Sequence, residues 1–268
     1  MEIGRYERPR SLEEAGRMVL EEGAVPLGGG VWTNAVSRPL AFALELSGLG
    51  LSHIEDRGGK MAIGAMATLR QIETHPGLET SFGGLFAAAL AHVGGVQVRN
   101  AATAGGTAGG KFGFSDLNTV LSALGATAVF HDGSSLSFAE FLEAPRAKPF
   151  LIKELLVPKR RLAAYQALRV AANDFPVLNA CAARLEEGWR IAVGARPAAA
   201  RLCSRAAAIM DGAAPQDENA FAEAARRAGL EAAGELKFGD DTRGSAAYRK
   251  EICAVLVKRA ILEAERKN

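Results

Sequence analysis

Two clusters of glycine are the residues of this chain whose type and spacing could do chemistry. They occupy residues 28–30 and 105–110, and each follows a predicted strand. Glycine leaves its backbone N–H uncovered and adopts positive φ, so successive residues can turn their amides toward one anion. A diphosphate would suit two such clusters. Two ordinary tight turns are the alternative that the pattern alone leaves open.

Neither cluster completes a known nucleotide-binding motif. Gly105, four residues, Gly110 and Lys111 match the P-loop pattern, but Phe112 stands where that pattern needs a Ser or Thr hydroxyl. A Rossmann fingerprint would need glycine where Thr33 stands, and no acidic residue follows at the usual distance. The sequence therefore disfavours nucleoside triphosphate hydrolysis and a Rossmann dinucleotide site.

Composition and charge narrow the classes of partner. The chain has 268 residues with 49% hydrophobic content, enough for one large domain or two smaller ones. Its net charge of +2 is spread along the chain, which predicts no nucleic-acid partner. The first residues mix charges of both signs, and no apolar run is long enough to span a bilayer. We expect a cytoplasmic protein without membrane insertion.

The cysteines and histidines predict no metal site. The three cysteines are odd in number and far apart, so we expect them to be buried core residues. The four histidines have no partner at metal-ligand spacing, so we expect surface or turn positions. These residues are Cys181, Cys203, Cys253, His53, His75, His92 and His131.

The first half of the chain alternates short predicted strands and helices. A capping box at Ser11 and Glu14, followed by helical apolar spacing, predicts a helix over residues 11–22. Residues 24–27 and 42–46 are predicted strands, joined by a glycine turn and a polar connection. A strand and a short helix ended by Pro76 follow, and glycine pairs bracket a helix within residues 83–95.

The second half changes pattern near residue 160. A helix is predicted over residues 117–126, then a strand, a turn and a short helix, then a strand interrupted by Pro158. Residues 179–195 predict a hairpin that turns near Glu187 and Gly188. Helices are predicted over residues 216–228 and 244–267. We therefore place the best domain boundary near residue 160.

Three segments carry a family resemblance. Residues 25–36 resemble the first flavin loop, and residues 93–126 the second, of the FAD-binding subunit of the molybdenum hydroxylases, which include xanthine and carbon monoxide dehydrogenases. The second loop has the R-N-x-A-T-x-G-G core from Arg99 to Gly106 and the S-D-L sequence from Ser115. Residues 241–249 resemble the D-x-R-x-S-x-x-Y-R pattern of the family's C-terminal domain. The similarity covers nearly the whole chain.

The resemblance implies an α+β fold in two domains. Residues 1–160 would form a two-part α/β FAD-binding domain of the PCMH type, with subdomains of about residues 1–52 and 53–160. Residues 161–268 would form a smaller C-terminal domain with an antiparallel sheet and helices.

The resemblance also implies which residues contact FAD. They are Leu27, Gly28, Gly29, Gly30, Val31, Trp32, Thr33, Thr103, Gly105, Gly106, Thr107, Gly110, Ser115 and Asp116. The family's first loop has Thr and an acidic residue where Val31 and Trp32 stand, and its second loop has Asn at Thr107.

Three of the residues in these segments have a simpler structural interpretation. Asp116 precedes an apolar run and could instead be the N-cap of the following helix. Lys111 could be a solvated loop charge. Trp32 is expected to be a packing residue rather than a stacking partner.

The function implied is that of an electron-transferring subunit. Electrons would pass from the iron–sulfur clusters of a small two-iron two-sulfur subunit through FAD to a final acceptor such as NAD, oxygen or quinone. A large molybdopterin subunit would hydroxylate the substrate, so the chain itself would carry no catalytic residue and no metal. The alternative is a flavin-free assembly subunit of the same type of complex.

Overall fold

Three β-sheets and the helices packed on them make up the part of the chain that the structure describes. The computed structural model describes residues 2–35, 39–145, 149–160 and 162–267. The strands of the three sheets fall in successive stretches, residues 3–45, 54–158 and 163–202. Each sheet is therefore built from one stretch of chain, and the predicted α+β class is confirmed.

The first sheet is parallel and has the strand order β1-β3-β2. Its strands are β1 (Ile3–Glu7), β2 (Ala24–Leu27) and β3 (Leu40–Glu45). Helix α1 (Leu12–Met18) crosses from β1 to β2, and the short helix α2 (Val31–Ala35) follows β2. The predicted polar connection after the first glycine cluster is thus partly wrong, because it contains α2.

Helix α1 begins where the sequence predicts but ends early. The Ser11 side chain accepts a hydrogen bond from the Glu14 amide, which fixes the first turn. The helix ends at Met18, and the chain turns at Gly23, whose φ is +76°. The prediction of a helix to residue 22 is wrong, because this left-handed glycine directs the chain into β2.

The second sheet is antiparallel and has the order β4-β5-β8-β6-β7. Its strands are β4 (Ile54–Arg57), β5 (Lys60–Gly64), β6 (Thr127–Phe130), β7 (Ser135–Ser137) and β8 (Ile152–Pro158). Between β5 and β6 the chain forms α3 (Leu69–Thr74), α4 (Pro76–Phe82), α5 (Leu85–Leu90), α6 (Val96–Ala101), α7 (Ala104–Gly109) and α8 (Asp116–Ala123), and α9 (Phe138–Glu143) follows β7. The largest hydrophobic core lies between this sheet and these helices.

The third sheet is antiparallel and has the order β12-β11-β10-β9. Its strands are β9 (Ala163–Leu168), β10 (Leu178–Leu185), β11 (Gly188–Gly194) and β12 (Arg201–Leu202). Helices α10 (Ser204–Asp211), α11 (Glu218–Glu235) and α12 (Ala246–Glu265) pack on it around a second core. This region is the antiparallel sheet with helices that the sequence predicts.

The hairpin and the last helix are confirmed, and two helix predictions need correction. Leu185 pairs with Gly188 at the hairpin turn, where Gly188 has φ of +125°. Helix α11 runs to Glu235, beyond the predicted end at residue 228, because small alanines continue to bury one face. Helix α10 was not predicted, because its alanine content is its only local signal.

Helix α8 joins the N-terminal part of the molecule to the third sheet. All of its residues are buried, and it packs on β10 and β11. The Thr119 hydroxyl donates to Asn179 Oδ1 at 2.9 Å, and Arg190 donates to the Ser122 carbonyl at 3.2 Å. These polar contacts fix α8 against the sheet inside an otherwise apolar interior.

All three cysteines are buried and unpaired, as predicted. Among the described residues no group of three or more potential ligands could hold a metal ion. In the same part of the chain, no helix is both long enough and apolar enough to cross a membrane.

Candidate functional site

The first glycine cluster packs directly against the segment that leads into the second cluster. Gly28 and Gly29 follow the end of β2 and face the link between α6 and α7. A Cβ added to Gly29 would lie 1.4 Å from the Ala101 carbonyl oxygen, and one on Gly28 would lie 2.3 Å from Thr103 Oγ1. Glycine is required here because the two backbones approach more closely than any side chain allows.

The second cluster is a helix rather than a loop. Thr103 is the N-cap of α7, and its Oγ1 accepts a hydrogen bond from the Gly106 amide at 3.2 Å. The Gly105 amide donates to the Ala65 carbonyl at 2.8 Å. Neither glycine has positive φ. The expectation that both amides are open to an anion is therefore wrong, because the protein itself uses them.

Close packing explains Gly105, whereas Gly106 borders open space. A Cβ on Gly105 would lie 2.8 Å from Ala65 Cβ and 2.9 Å from the Ala65 oxygen. Gly106 is exposed, and a Cβ there would meet only Thr103 Oγ1, at 3.0 Å. A larger side chain at residue 106 would therefore extend into the space between the two clusters.

That space is a cavity of about 560 Å³. Its walls come from the segment around β2, from residues 102–110, and from the chain that enters β8. The predicted site residues that line it are Gly28, Gly29, Gly30, Val31, Trp32, Thr33, Thr103, Gly105, Gly106, Thr107 and Gly110. Leu27, Ser115 and Asp116 do not line it.

Other lining residues have no local signal in the sequence. Glu21 and Glu22 border the cavity before β2, Ala65 and Met66 follow β5, and residues 149–152 close another side. They come from separate stretches that meet only in the folded chain. Sequence reasoning missed them for that reason.

Charge in the cavity is sparse. Glu21 and Glu22 supply the ionised side chains of the lining, and no cationic side chain lines it within the described part of the chain. A bound diphosphate would therefore depend on backbone N–H groups and local dipoles rather than on an ion pair. The backbone of residues 28–30 is the segment placed to provide them.

Thr107 carries an unused hydroxyl at the inner side of the cavity. The residue is 8% exposed and its Oγ1 has no hydrogen-bond partner. A buried hydroxyl without a partner is costly, and such groups are usually satisfied by water or a ligand. Thr107 lines both the cavity and a neighbouring inner pocket of about 30 Å³.

An aromatic cluster separates the cavity from the inner pocket. It consists of Trp32, Phe112, Phe114 and Phe175, and the Trp32 ring centroid lies 4.7, 5.3 and 5.8 Å from the three phenylalanine centroids. Trp32 and Phe112 line both spaces. Trp32 packs as predicted, and part of its indole also faces the cavity.

Asp116 lies outside the cavity, at the junction with the third sheet. Its Oδ1 accepts hydrogen bonds from Arg169 Nη2 at 2.7 Å, from Asn179 Nδ2 at 3.2 Å and from the Tyr165 hydroxyl. Burial raises the pKa of Asp116, and the Arg169 guanidinium opposes that shift. The side chain thus joins α8 to β9 and β10.

The N-cap interpretation of Asp116 is wrong, because Ser115 takes that position. Ser115 Oγ accepts a hydrogen bond from the Asn118 amide at 3.2 Å, and Asp116 is the first residue of α8. A hydroxyl one residue earlier leaves the carboxylate free to reach the sheet.

Lys111 is buried, so its interpretation as a solvated loop charge is also wrong. Its Nζ donates to the carbonyls of Ala144, at 2.8 Å, and Phe141, and lies 4.3 Å from the centroid of the Phe141 ring. Two carbonyls and an aromatic face replace water around the ammonium group. The P-loop lysine of the sequence pattern therefore points to the protein interior.

The C-terminal motif, residues 241–249, has a structural role. Arg249 is fully buried and donates to the carbonyls of Val177 at 2.9 Å and Gly239 at 2.7 Å, and to Asp241 at 2.5 Å. The sequence shows the residues of this motif but not that they tie the start of α12 to β10.

Comparison with known proteins assigns the fold and cofactor. Residues 1–160 match the family model described as the FAD binding domain in molybdopterin dehydrogenase. The chain belongs to this family. Residues 163–264 match the CO dehydrogenase flavoprotein C-terminal domain. The chain is thus an FAD-binding flavoprotein subunit of the molybdenum hydroxylase type, and its N-terminal fold is of the predicted PCMH type.

Individual relatives align with this chain over nearly its full length. The uncharacterized protein YgfM of Escherichia coli K12 is 30% identical over 262 residues, 95% of this chain and 94% of YgfM. Quinoline 2-oxidoreductase from Pseudomonas putida 86 aligns with a TM-score of 0.85 and 22% identity, covering 97% and 96% of the two chains. Reconstituted CO dehydrogenase from Oligotropha carboxidovorans aligns with a TM-score of 0.87 and 20% identity, covering 100% and 99%.

The residues present fit FAD. The cavity has room along both glycine clusters, a Cβ at Gly106 would enter it, and the buried Thr107 hydroxyl offers an unused polar group. An apolar wall at Trp32 and Phe150 suits an aromatic ring system.

Proposed function

We propose that FAD occupies this cavity, with its pyrophosphate between residues 28–30 and Gly106. The observation that carries this proposal is that both glycine clusters line one cavity, in which Gly106 is exposed. Residues 28–30 would supply backbone N–H groups, and Thr107 would donate its free hydroxyl. Apart from Leu27, Ser115 and Asp116, the residues predicted from the resemblance line the cavity, which supports this role for them.

FAD would supply the redox chemistry, because a flavin can take up electrons one at a time and pass them to an acceptor singly or in pairs. The chain would bind FAD, orient its ring and exclude water from one face. The buried wall of the second sheet and α7 would hold the phosphate end still. We assign no acid, base or nucleophile of this chain to a chemical step.

We further propose that the chain works in a hetero-oligomer. A small two-iron two-sulfur subunit would deliver electrons, and a large molybdopterin subunit would carry out substrate hydroxylation. The final acceptor would be NAD, oxygen or quinone. Membership of the molybdopterin dehydrogenase family supports this assignment, and the assignment of the cytoplasm as its location stays a prediction.

Cofactor content tests the FAD site. The purified chain should show the visible absorbance of an oxidised flavin, and acid or heat should release free FAD, since no covalent tether is proposed. A colourless preparation that FAD cannot reconstitute would contradict the proposal and favour a flavin-free assembly subunit.

Purification from the native host tests the complex. A tagged chain should bring down a small cysteine-rich subunit and a large subunit that contains molybdenum. Oxidation of a substrate at enzymatic rates by the isolated chain would contradict the proposed division of labour.

A further inference from the structure

The aromatic cluster lies at one end of the cavity, where it separates the cavity from the inner pocket. Its geometry also suits contact with a planar ligand. We propose that the isoalloxazine ring of FAD stacks on Trp32, so that the aromatic cluster forms the end wall of the FAD site. The inference rests on the proposed function, in which FAD occupies the cavity. It makes Trp32 the residue that sets how far the ring enters.

Three phenylalanines hold the Trp32 ring on the side away from the cavity. Phe112, Phe114 and Phe175 all lie within 5.8 Å of its ring centroid, and Phe112 and Phe114 are nearly parallel, with an interplanar angle of 9°. A ring held by three aromatic neighbours is a rigid surface for a planar ligand. The indole is only half-buried, and the cavity borders it.

The space behind the aromatic cluster is too small for a flavin ring. The inner pocket measures about 30 Å³, which leaves room for about two water molecules at roughly 10–15 Å³ each. Trp32 and Phe112 stand between it and the cavity. A tricyclic ring that enters from the cavity would therefore stop at Trp32.

The two ends of the cavity suit the two halves of FAD. Glu22 precedes β2 and Gly28 follows it, so the four-residue strand separates them by about 13 Å at roughly 3.3 Å per residue. Carboxylates such as Glu21 and Glu22 accept hydrogen bonds from ribose hydroxyls, as acidic residues do in other dinucleotide sites. We therefore place adenosine near these glutamates and the flavin ring near Trp32.

Binding of FAD and ADP to Trp32→Leu and wild type tests the assignment. We expect FAD affinity to fall about tenfold, which is typical of a lost aromatic stacking partner. ADP should bind both proteins equally, because it lacks the flavin ring. The emission of bound flavin should be quenched by the indole in the wild type and should rise several-fold in Trp32→Leu.

Two further variants control for folding. Trp189→Phe removes the other tryptophan, which lies in the core of the third sheet, and should leave flavin emission quenched. Trp32→Phe keeps an aromatic ring against the cluster. It should retain FAD affinity within about threefold while flavin emission rises, because phenylalanine does not quench flavin by electron donation.

The outcomes separate this inference from the FAD site itself. If wild type binds FAD in competition with ADP but Trp32→Leu leaves affinity and emission unchanged, the stacking assignment is wrong and the cavity assignment stands. Tighter FAD binding in Trp32→Leu would also overturn it, since the ring would then enter the space behind. If ADP does not compete with FAD in the wild type, the cavity assignment itself fails.

Discussion

The glycines of the two clusters are needed for different physical reasons. Gly29 and Gly105 permit close packing of backbone segments, whereas Gly106 keeps the cavity open. Among the glycines of residues 28–30 and 105–110, only Gly30 has positive φ, at +72°. Substitution should therefore cost stability at some of these positions and ligand affinity at others.

Gly106→Val should weaken FAD binding without unfolding the protein. The new side chain would enter the cavity and displace the phosphates from the backbone N–H groups of residues 28–30, and we expect a loss of about 1.5–3 kcal/mol, the value of one hydrogen bond to a charged group. The melting temperature of the apoprotein should stay close to wild type. Equilibrium titration with FAD and thermal melts measure both.

Gly234→Val is the matched control, since Gly234 lies on α11 with no atom within 4 Å of an added Cβ. It should leave FAD binding unchanged. Wild-type flavin content in Gly106→Val would remove α7 from the FAD site.

Gly29→Ala should instead destabilise the fold. Its Cβ would overlap the Ala101 carbonyl, and we expect a loss of roughly 1–3 kcal/mol or more in the free energy of unfolding, as for overpacked cores. Urea denaturation of the apoprotein measures the change. Gly48→Ala is the control, because nothing lies within 4 Å of its added Cβ. Equal stability of the two variants would contradict the close approach.

Asp116→Ala should lower the stability of the apoprotein while FAD affinity stays the same. Removing the carboxylate leaves Arg169 buried without its charge partner, and breaking such a pair costs about 3–5 kcal/mol. Glu13→Ala, which removes an exposed ion pair with Arg17, should cost about 0.5 kcal/mol or less. Weaker FAD binding with an unchanged apoprotein melt would return Asp116 to the flavin site.

At the scale of elements, N-cap residues and side-chain hydrogen bonds fix where helices begin. Ser245 caps α12 by accepting a hydrogen bond from the Tyr248 amide at 3.1 Å, and Asp240 accepts one from the Ala246 amide at 2.8 Å. Asp241 and Arg249 then tie this end to β10 and to the preceding loop. The motif is therefore a fixed corner of the third sheet.

The Asp241–Arg249 ion pair should stabilise the start of α12 less as the solution becomes acid. Partial burial acts to raise the pKa of Asp241, but hydrogen bonds from Arg249 and the Arg243 amide outweigh it, so the pKa is lowered. A lowered pKa contributes stability above the ordinary carboxyl pKa, and that stability is lost as pH falls through the folded-state pKa. Asp241→Asn should therefore differ most from wild type near neutral pH.

Urea denaturation of both proteins between pH 7 and pH 3 measures this difference. The gap in unfolding free energy should shrink as the solution becomes acid, because the protonated wild-type side chain then resembles asparagine. A gap that is constant or grows toward pH 3 would show that ionised Asp241 does not hold the corner.

At the scale of the whole molecule, α8 couples the two halves of the chain. It contributes to the largest core and contacts β10 and β11 through hydrogen bonds of Thr119 and Ser122. Interfaces between independently moving domains are usually more polar than this, whereas every residue of α8 is buried. We expect the halves to unfold together, although a division at residue 160 stays our domain prediction.

The two tryptophans test this coupling, because Trp32 reports on the N-terminal part and Trp189 on the third sheet. Urea denaturation of Trp189→Phe, followed by Trp32 emission, and of Trp32→Phe, followed by Trp189 emission, should each coincide with the circular dichroism of the same variant. A fluorescence midpoint that differs clearly from the circular dichroism midpoint would show that the halves unfold separately.

Local sequence patterns were enough to predict the hairpin and the last helix, because turn residues and helical spacing determine these elements. The hairpin at Glu187 and Gly188 follows from a left-handed glycine between two apolar strands, and α12 from a capped run with helical spacing. The family, its α+β class and its cofactor follow from the two glycine segments and the C-terminal pattern. Side-chain type and spacing carry this information, so the sequence by itself determined it.

Contacts between distant residues were decided only by the tertiary structure. The sequence predicts Asp116 as a flavin contact or a helix N-cap and Lys111 as a loop charge. In the structure the Asp116 carboxylate joins α8 to the third sheet, and the Lys111 ammonium donates to carbonyls at the end of α9. The first glycine cluster packs on the segment that leads into the second where Gly29 faces Ala101, although the two segments are far apart in sequence. Burial and partner choice depend on which segments pack together, and no local pattern encodes the partner of a residue that is distant along the chain.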